Sequence, residues 1–283
     1  MHNMGITKIN SYMKRFLFLI LSTLVPVAVN AFADEAEIDG IKYFILTKGQ
    51  TAEVRANRYR GDIVIPETVE WEGVVCKVTS IGRSAFSRCD GLTSVSIPSS
   101  VKTIGDYAFM SCISLTSVII PNSVDSIGEY SFRDCQNLES IILSDSIRTI
   151  GVSAFSSCFS LSSIKIPERV TTICSSAFAR CERLTSIIIP NNVISIGRYA
   201  FEGCGGLTNI TIGSKVATIL PDAFAECPEL RDVFILAKKV PKTSISIFED
   251  SFINYATLHV PSESIDAYKS AEVWNGFKSI IGL

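Results

Sequence analysis

The stretch from Ala85 to Pro98, "AFSRCDGLTSVSIP", decides the fold of this chain because it recurs. Its phenylalanine, cysteine and leucine each return every 23 residues, so that each occupies seven equivalent positions. These positions are Phe86, Phe109, Phe132, Phe155, Phe178, Phe201 and Phe224; Cys89, Cys112, Cys135, Cys158, Cys181, Cys204 and Cys227; and Leu92, Leu115, Leu138, Leu161, Leu184, Leu207 and Leu230. A fixed period in the twenties predicts a solenoid, in which each unit stacks only on its neighbours. We divide residues 78–238 into seven such repeats, numbered 1 to 7 in chain order.

Each repeat contains two extended pieces and one turn segment. In repeat 1, "LTSVSIP" predicts a short strand with Val95 and Ile97 pointing inward, ended by Pro98, which cannot extend a strand ladder. A second extended piece is expected at "VTSIG", and its glycine marks a turn that we expect to need a positive φ. The "SAFSRC" segment is too short for a regular helix, which favours a helical or 3-10 turn carrying Ala, Phe and Cys inward. Stacking such units buries one continuous core.

The N-terminal residues have the pattern of a signal peptide. Lys14 and Arg15 precede the apolar run "FLFLILSTLVPVAV", and the small-residue site Ala31-Phe32-Ala33 follows it. The run of roughly 14 residues is shorter than the ~20 that a membrane-spanning helix needs. We predict a signal peptide over residues 1–33, with an uncleaved anchor as the alternative, and no integral membrane segment after cleavage. The prediction is an exported protein that is secreted, periplasmic or bound at the cell surface.

Both ends of the array are atypical, as expected for segments that protect the open ends of a solenoid. Residues 34–77 contain the strand candidates "GIKYFIL" and "GDIVIP" and are predicted to form an N-terminal β-rich cap. Residues 239–283 are predicted to form a C-terminal cap, in which "ATLHVP" repeats the strand signature without its "AF..C" half. A helix with Ser262 as its N-cap is expected next, with Trp274 and Phe277 covering the last repeat.

The pattern "SIGxxAFxxCxxLTSVxIPxSV" resembles the BspA-like leucine-rich repeat family, and the resemblance covers all seven repeats. It implies a right-handed, curved leucine-rich-repeat solenoid with short strands and helical or 3-10 turns, capped at both ends. It also implies an exported or surface protein of the kind found in bacterial commensals and some protist parasites, several of which are linked to adhesion to host proteins or other cells. The departures are mild, since Cys174 and Leu220 replace the turn glycine.

The residue inventory argues against catalysis, cofactors and metal binding. The net charge is −2 with no basic block, so neither nucleic acid nor an anionic membrane is an expected partner. Only His2 and His259 are present, and a Ser-His-Asp or Cys-His arrangement would depend on His259, with Cys227 as the one cysteine near enough. No CxxC, histidine pair or glycine-rich phosphate loop occurs. We predict a protein without enzymatic activity or cofactor.

The repeated cysteines raise the question of disulfides, because an exported protein meets an oxidising environment. Stacked equivalents would lie roughly 4.8 Å apart, which is within the range for bridged Cα atoms. However, their side chains would point in parallel, and burial beside Phe and Leu favours an inert, reduced thiol. We predict reduced core cysteines in the ladder and leave Cys76 and Cys174 unassigned.

The outward strand positions are the predicted binding surface. The outward residue in the middle of each strand is Ser96, Ile119, Ile142, Lys165, Ile188, Thr211 or Phe234. An apolar row on a solvated sheet marks a partner surface, although β-branched residues also simply suit strands. A second candidate is the turn face with Tyr107, Tyr130 and Tyr199, whose alternative role is to shield the turn. The predicted function is adhesion to a protein or glycan partner on a host or neighbouring cell; the alternative is a structural envelope component that self-associates.

Overall fold

The computed structural model describes residues 33–283, which form a parallel β-solenoid that turns once in about 23 residues. The predicted signal peptide lies, apart from Ala33, outside the described residues. Within residues 33–283, the helices are too short or too polar to cross a membrane.

The described part of the chain begins with six strands, which are β1 Ala33–Ile38, β2 Ile41–Leu46, β3 Thr51–Val54, β4 Arg60–Val64, β5 Thr68–Trp71 and β6 Val74–Ile81, with a 3-10 turn at Thr47–Gly49. Strands β1, β2 and β3 are antiparallel neighbours, whereas β3 and β4 pair in parallel with β6 and β7 (Gly91–Ser96) of repeat 1. The ring of Tyr59 packs 4.7 Å from that of Phe86, and the carbonyl of Asn57 accepts the Cys89 thiol at 3.2 Å. Residues 51–65 therefore act as an initial solenoid turn whose sequence has diverged from the repeat.

The later repeats contribute eleven further strands in chain order, which are β8 Thr103–Ile104, β9 Ser117–Ile119, β10 Ser126–Ile127, β11 Ser140–Ile142, β12 Thr149–Ile150, β13 Thr172–Ile173, β14 Ser186–Ile189, β15 Ser195–Ile196, β16 Asn209–Ile212, β17 Thr218–Ile219 and β18 Asp232–Ile235. They form two ladders. The first ladder consists of β6, β8, β10, β12, β13, β15 and β17, and the second consists of β7, β9, β11, β14, β16 and β18. Every repeat-to-repeat pairing is parallel, as the predicted solenoid requires.

The turn segments have the i→i+3 hydrogen bonds of a 3-10 helix but a different backbone path. In repeat 1 the N–H groups of Ala85, Ser87 and Cys89 close three overlapping turns at 3.1–3.2 Å. Ser84 and Arg88 have φ values of 55° and 58°, and their equivalents in the other repeats are also left-handed. The alternate N–H groups, starting with Ser84 and Phe86, donate to carbonyls of the next repeat. Consecutive β-turns therefore form a third hydrogen-bonded ladder in place of a helix.

The prediction of a positive φ at the repeat glycines is wrong, because the left-handed positions are those of Ser84 and Arg88 and their equivalents, and the turn glycines are not among them. The glycines are required by close packing instead. A Cβ on Gly128 would lie 2.5 Å from the carbonyl carbon of Gly105 and 2.7 Å from Asp106 Cα, both in the preceding repeat. Adjacent repeats thus meet backbone to backbone at this position, and only the absence of a side chain permits it.

The core contains the predicted ladders of Phe, Leu and Cys, all buried. Successive phenylalanine rings from Phe86 to Phe224 stack at 4.9–5.5 Å with interplanar angles of at most 11°. All nine cysteines are free, and each ladder thiol from Cys112 onward donates to the carbonyl of the phenylalanine 26 residues earlier, at 3.0–3.3 Å. The repeat cysteine is therefore a buried core residue, as predicted, and also a hydrogen-bond donor between repeats.

The solenoid continues beyond residue 238. Ile247 and Phe248 take the positions of Ala and Phe, and the Phe248 ring stacks 5.7 Å from that of Phe224. Ser251 replaces the cysteine, and its hydroxyl donates to the Phe224 carbonyl at 2.6 Å. The "AF..C" half that the sequence analysis did not find before "ATLHVP" is thus present in diverged form.

The final strands are β19 Thr257–Val260 and β20 Ser279–Gly282, which extend the second ladder in parallel. Between them lie one helix, α1 Ile265–Ser270, and 3-10 turns at Ser262–Ser264 and Trp274–Gly276, after another at Ile253–Tyr255. The N-cap position belongs to Ser264, so the prediction of Ser262 was wrong; the Ser262 hydroxyl donates to the Leu283 carbonyl at 2.9 Å. Trp274 and Phe277 pack on Phe248 at the end of the aromatic stack, as predicted.

Candidate functional site

The second ladder aligns the predicted outward residues where its strands pair, which is in two separate stretches of the repeats. Parallel pairing places Ile119 beside Ile142, and Ile188 beside Thr211 and then Phe234. Paired members of the row are about 4.8 Å apart, the spacing of neighbouring strands, whereas Ser96 and Lys165 have no strand partner among the seven residues. We call this set the outward row, and it contains Ser96, Ile119, Ile142, Lys165, Ile188, Thr211 and Phe234.

The isoleucines of the outward row are unusually exposed for their size. Ile119, Ile142 and Ile188 have exposed fractions of 64%, 60% and 67%, while Thr211 and Phe234 are half-buried. Their strand neighbours Val118, Ile141 and Ile187 are buried, because successive side chains of a strand point to opposite faces. The strand pattern alone therefore determines which isoleucines reach solvent.

The structure adds three residues to the row that the sequence analysis did not include. Val64 pairs with Ser96 at one end, and His259 and then Ile281 follow Phe234 at the other. Val64 is 70% exposed and Ile281 is 44% exposed. Val64 and His259 each stand two residues before a proline, as Ser96 does, so the strand-then-proline signature was the available signal. Ile281 has no such signal.

A row of small polar residues runs beside the outward row. Its members are Ser94, Ser117, Ser140, Ser163, Ser186, Asn209, Asp232, Thr257 and Ser279. At the N-terminal end the hydroxyls of Thr93 and Ser94 donate to Asp62 Oδ1 at 2.7 Å and 2.6 Å, and these hydrogen bonds lower the pKa of Asp62. Between Asp62 and Asp232 the two rows carry a single charged residue, Lys165. The face is thus a long band of hydroxyl and apolar groups that carries one lysine between the carboxylates of Asp62 and Asp232.

Lys165 does not lie in the strand that the repeat pattern predicts for it. Its side chain is exposed beside the isoleucines, but residues 161–167 form no regular strand, unlike the equivalent segments of the other repeats. The backbone N–H of Ser162 reaches the Glu139 carbonyl only at 3.4 Å. The second ladder is therefore interrupted in the middle of the band.

The C-terminal end of the outward row carries the one described histidine. His259 Nε2 lies 2.7 Å from Asp232 Oδ1, and its ring stacks 4.1 Å from that of Phe234. The thiol of Cys227 is instead directed to the Phe201 carbonyl, so the structure does not bring Cys227 and His259 together as a reactive pair. Within residues 33–283, no three His, Cys, Asp or Glu side chains are grouped so as to hold a metal ion. The Asp232 carboxylate and the Phe234 ring thus hold the His259 side chain in place.

The turn face holds the tyrosines in a different arrangement. The rings of Tyr107 and Tyr130 stack at 4.9 Å, and Arg83 and Arg133 lie over their outer faces at 5.0 Å and 5.8 Å. Tyr199 lies elsewhere along the axis beside Arg198. All three tyrosines are half-buried, so part of each ring is withdrawn from solvent. This contact pattern favours the shielding role for the turn face.

Fold and surface together define a leucine-rich-repeat solenoid with an exposed sheet face. The chain belongs to the BspA type leucine-rich repeat family, whose model matches six copies over residues 73–181 and 149–271. It is similar to the leucine-rich repeat protein of T. pallidum, with 25% identity, a TM-score of 0.54, and coverage of 74% of this chain and 86% of that one. It also shares the fold of a leucine-rich cell surface protein from Faecalibacterium prausnitzii at 20% identity and a TM-score of 0.51, covering 89% and 95% of the two chains. No curated protein sequence matches the chain.

Proposed function

We propose that this protein is an exported, non-enzymatic adhesion protein that binds a protein or glycan partner on a host or neighbouring cell through its sheet face. The observation that carries the proposal is that Ile119, Ile142 and Ile188 occupy equivalent positions on one solvated face, each at least 60% exposed. Exposed apolar side chains grouped on one face of a soluble protein often mark a partner surface. Family membership supports a binding role for the repeat surface.

The outward row predicts which side chains contact the partner. Burial of an isoleucine side chain against a partner contributes roughly 1.5–3 kcal/mol before the cost of association. Hydroxyls of the neighbouring serines add directional hydrogen bonds without the desolvation cost of charges. Ser96, Lys165, Thr211 and Phe234 extend the same surface, and Lys165 selects for a partner with an acidic group opposite it.

The experiment replaces Ile119, Ile142 and Ile188 together by serine. A matched control replaces three exposed isoleucines outside the row, Ile113, Ile194 and Ile245, by serine. The row variant is expected to lose at least about tenfold in adhesion to cells or immobilised matrix components, while the control variant keeps it. Equal adhesion by the two variants would refute the sheet face as the binding surface.

The same pair of variants tests the self-associating alternative. Light scattering of the unmodified protein at high concentration gives its mass directly. A concentration-dependent mass that the row variant abolishes and the control variant keeps would assign the row to contacts between copies. A monodisperse monomer leaves adhesion as the role of the face.

A further inference from the structure

The seven repeats are held together by three ladders of backbone hydrogen bonds, and these ladders are not equally continuous. The turn ladder has at least two bonds at every junction between repeats; at the junction between repeats 3 and 4 they run from Tyr130, Phe132 and Asp134 at 2.8–2.9 Å. The two strand ladders have gaps. Within the seven repeats, all of which the structure describes, the junction between repeats 3 and 4 is the single one at which neither strand ladder pairs.

Individual hydrogen bonds locate the gap in the first strand ladder. The N–H of the residue after each short strand donates to the preceding repeat, as in Gly128 to the Ile104 carbonyl at 2.8 Å and Cys174 to the Ile150 carbonyl at 2.9 Å. The equivalent N–H of Gly151 has no backbone acceptor. A second recurrent bond, from Asp125 to the Lys102 carbonyl at 3.0 Å, is likewise missing for Arg148.

Packing at the same junction is also looser. A Cβ on Gly151 would lie 3.3 Å from its nearest neighbour, the Gly128 carbonyl oxygen, whereas one on Gly197 would lie 2.5 Å from Cys174 and Ser175. Two separate features, the missing strand pairing and the wider gap at the glycine, therefore coincide at one junction.

We propose that the junction between repeats 3 and 4 is a hinge that bends the solenoid about its turn ladder. The continuous turn bonds keep the two halves connected, while the strand sides separate without breaking any regular strand pairing. Such local opening is expected where few backbone hydrogen bonds resist it. The row Ile119, Ile142, Lys165 and Ile188 crosses this junction, so bending changes the spacing of Ile142 and Ile188 and adapts the sheet face to the shape of a partner. The hinge does not depend on the adhesion role.

Hydrogen exchange followed by mass spectrometry tests whether the strand sides of this junction open. The amides of Arg148 and Gly151 are expected to exchange at least about tenfold faster than those of Gly128 and Cys174. The turn amides of Phe132 and Phe155 are expected to stay protected. Uniform protection across the junction would overturn the hinge, and equally fast exchange of the turn amides would show local unfolding in its place.

A crosslink separates bending from a merely unpaired amide. Ser140 and Ser163 are exposed and occupy equivalent positions in repeats 3 and 4, so Ser140→Cys with Ser163→Cys places a disulfide across the gap. Ser186→Cys with Asn209→Cys is the matched control across a paired junction. The readout is the amide of Ser160, whose N–H donates across the junction to the Gln136 carbonyl at 3.1 Å and is freed when the strand sides separate. Oxidation of the first pair is expected to slow exchange at Ser160 about tenfold relative to its reduced form, and oxidation of the control pair is expected to leave it unchanged. If the first crosslink forms and Ser160 exchange does not change, the two repeats do not move apart and the hinge is refuted.

Discussion

The repeat glycines offer a sharp test of how adjacent repeats are packed. In Gly128→Ala the new Cβ would meet the backbone of Gly105 and Asp106 at 2.5–2.7 Å, and backbone atoms in three hydrogen-bonded ladders cannot easily shift. Overpacking of this kind costs roughly 1–3 kcal/mol, and the upper end applies because the neighbours are backbone. The smaller conformational entropy of unfolded alanine returns about 0.4–1 kcal/mol, since the φ of Gly128 is not in the left-handed region. The net expectation is a loss of about 2 kcal/mol.

Gly151→Ala is the matched control for this change. Its Cβ would lie 3.3 Å from a carbonyl oxygen, so the steric cost nearly cancels the entropic gain, and stability should change by less than about 0.5 kcal/mol. For a chain of this size 1 kcal/mol corresponds to about 2–4 °C in Tm. Calorimetry should therefore show Gly128→Ala melting about 4–8 °C below the unmodified protein, with Gly151→Ala nearly unchanged. Equal Tm shifts in the two variants would contradict the packing difference between the junctions.

Two further predictions concern the core and its C-terminal end. Burial raises the pKa of Cys181 and Cys227 to about 12, above the value of 9.0 for a free thiol, so the folded state prefers the neutral thiol. Their contribution to stability is complete below pH 9 and is lost as the pH rises from 9 to about 12, by up to about 1.4 kcal/mol per pH unit and thiol. Urea unfolding at pH 8 and pH 10 measures this loss of stability, and Cys181→Ser should make the loss smaller. A urea midpoint that does not change with pH would exclude thiol ionisation as the cause. Trp274 is fully buried against Phe248 and Tyr268, so Trp274→Ala should cost about 3–5 kcal/mol in urea unfolding. Trp274→Phe should cost much less, because the phenyl ring keeps most of the buried aromatic surface and the indole N–H has no partner among the described residues; equal losses in the two variants would contradict this account.

The candidate surface was largely predictable from the sequence. Because side chains alternate along a strand, the repeat pattern alone predicts that Ile119, Ile142 and Ile188 point outward at equivalent positions. The same signature, a residue two before a proline, also marks Val64 and His259. The ring stack of Phe234 and His259 was not predictable, because it depends on the strand register that joins repeat 7 to β19.

The sequence by itself determined the solenoid, its repeat length and the Phe, Leu and Cys ladders, because a periodic chain that cannot bury one unit alone must stack its equivalents. Only the tertiary structure shows why the repeats need glycine at the turn position. A close approach between Gly128 and the preceding backbone is a contact between repeats, whereas φ is a property of one residue, and the sequence pattern does not distinguish the two. Tertiary structure also decided where the solenoid ends, since Phe248 and Ser251 take repeat positions through packing and hydrogen bonding that tolerate a changed sequence. Tertiary structure likewise decided that strand pairing is interrupted between repeats 3 and 4, because this pairing depends on how the assembled repeats stack.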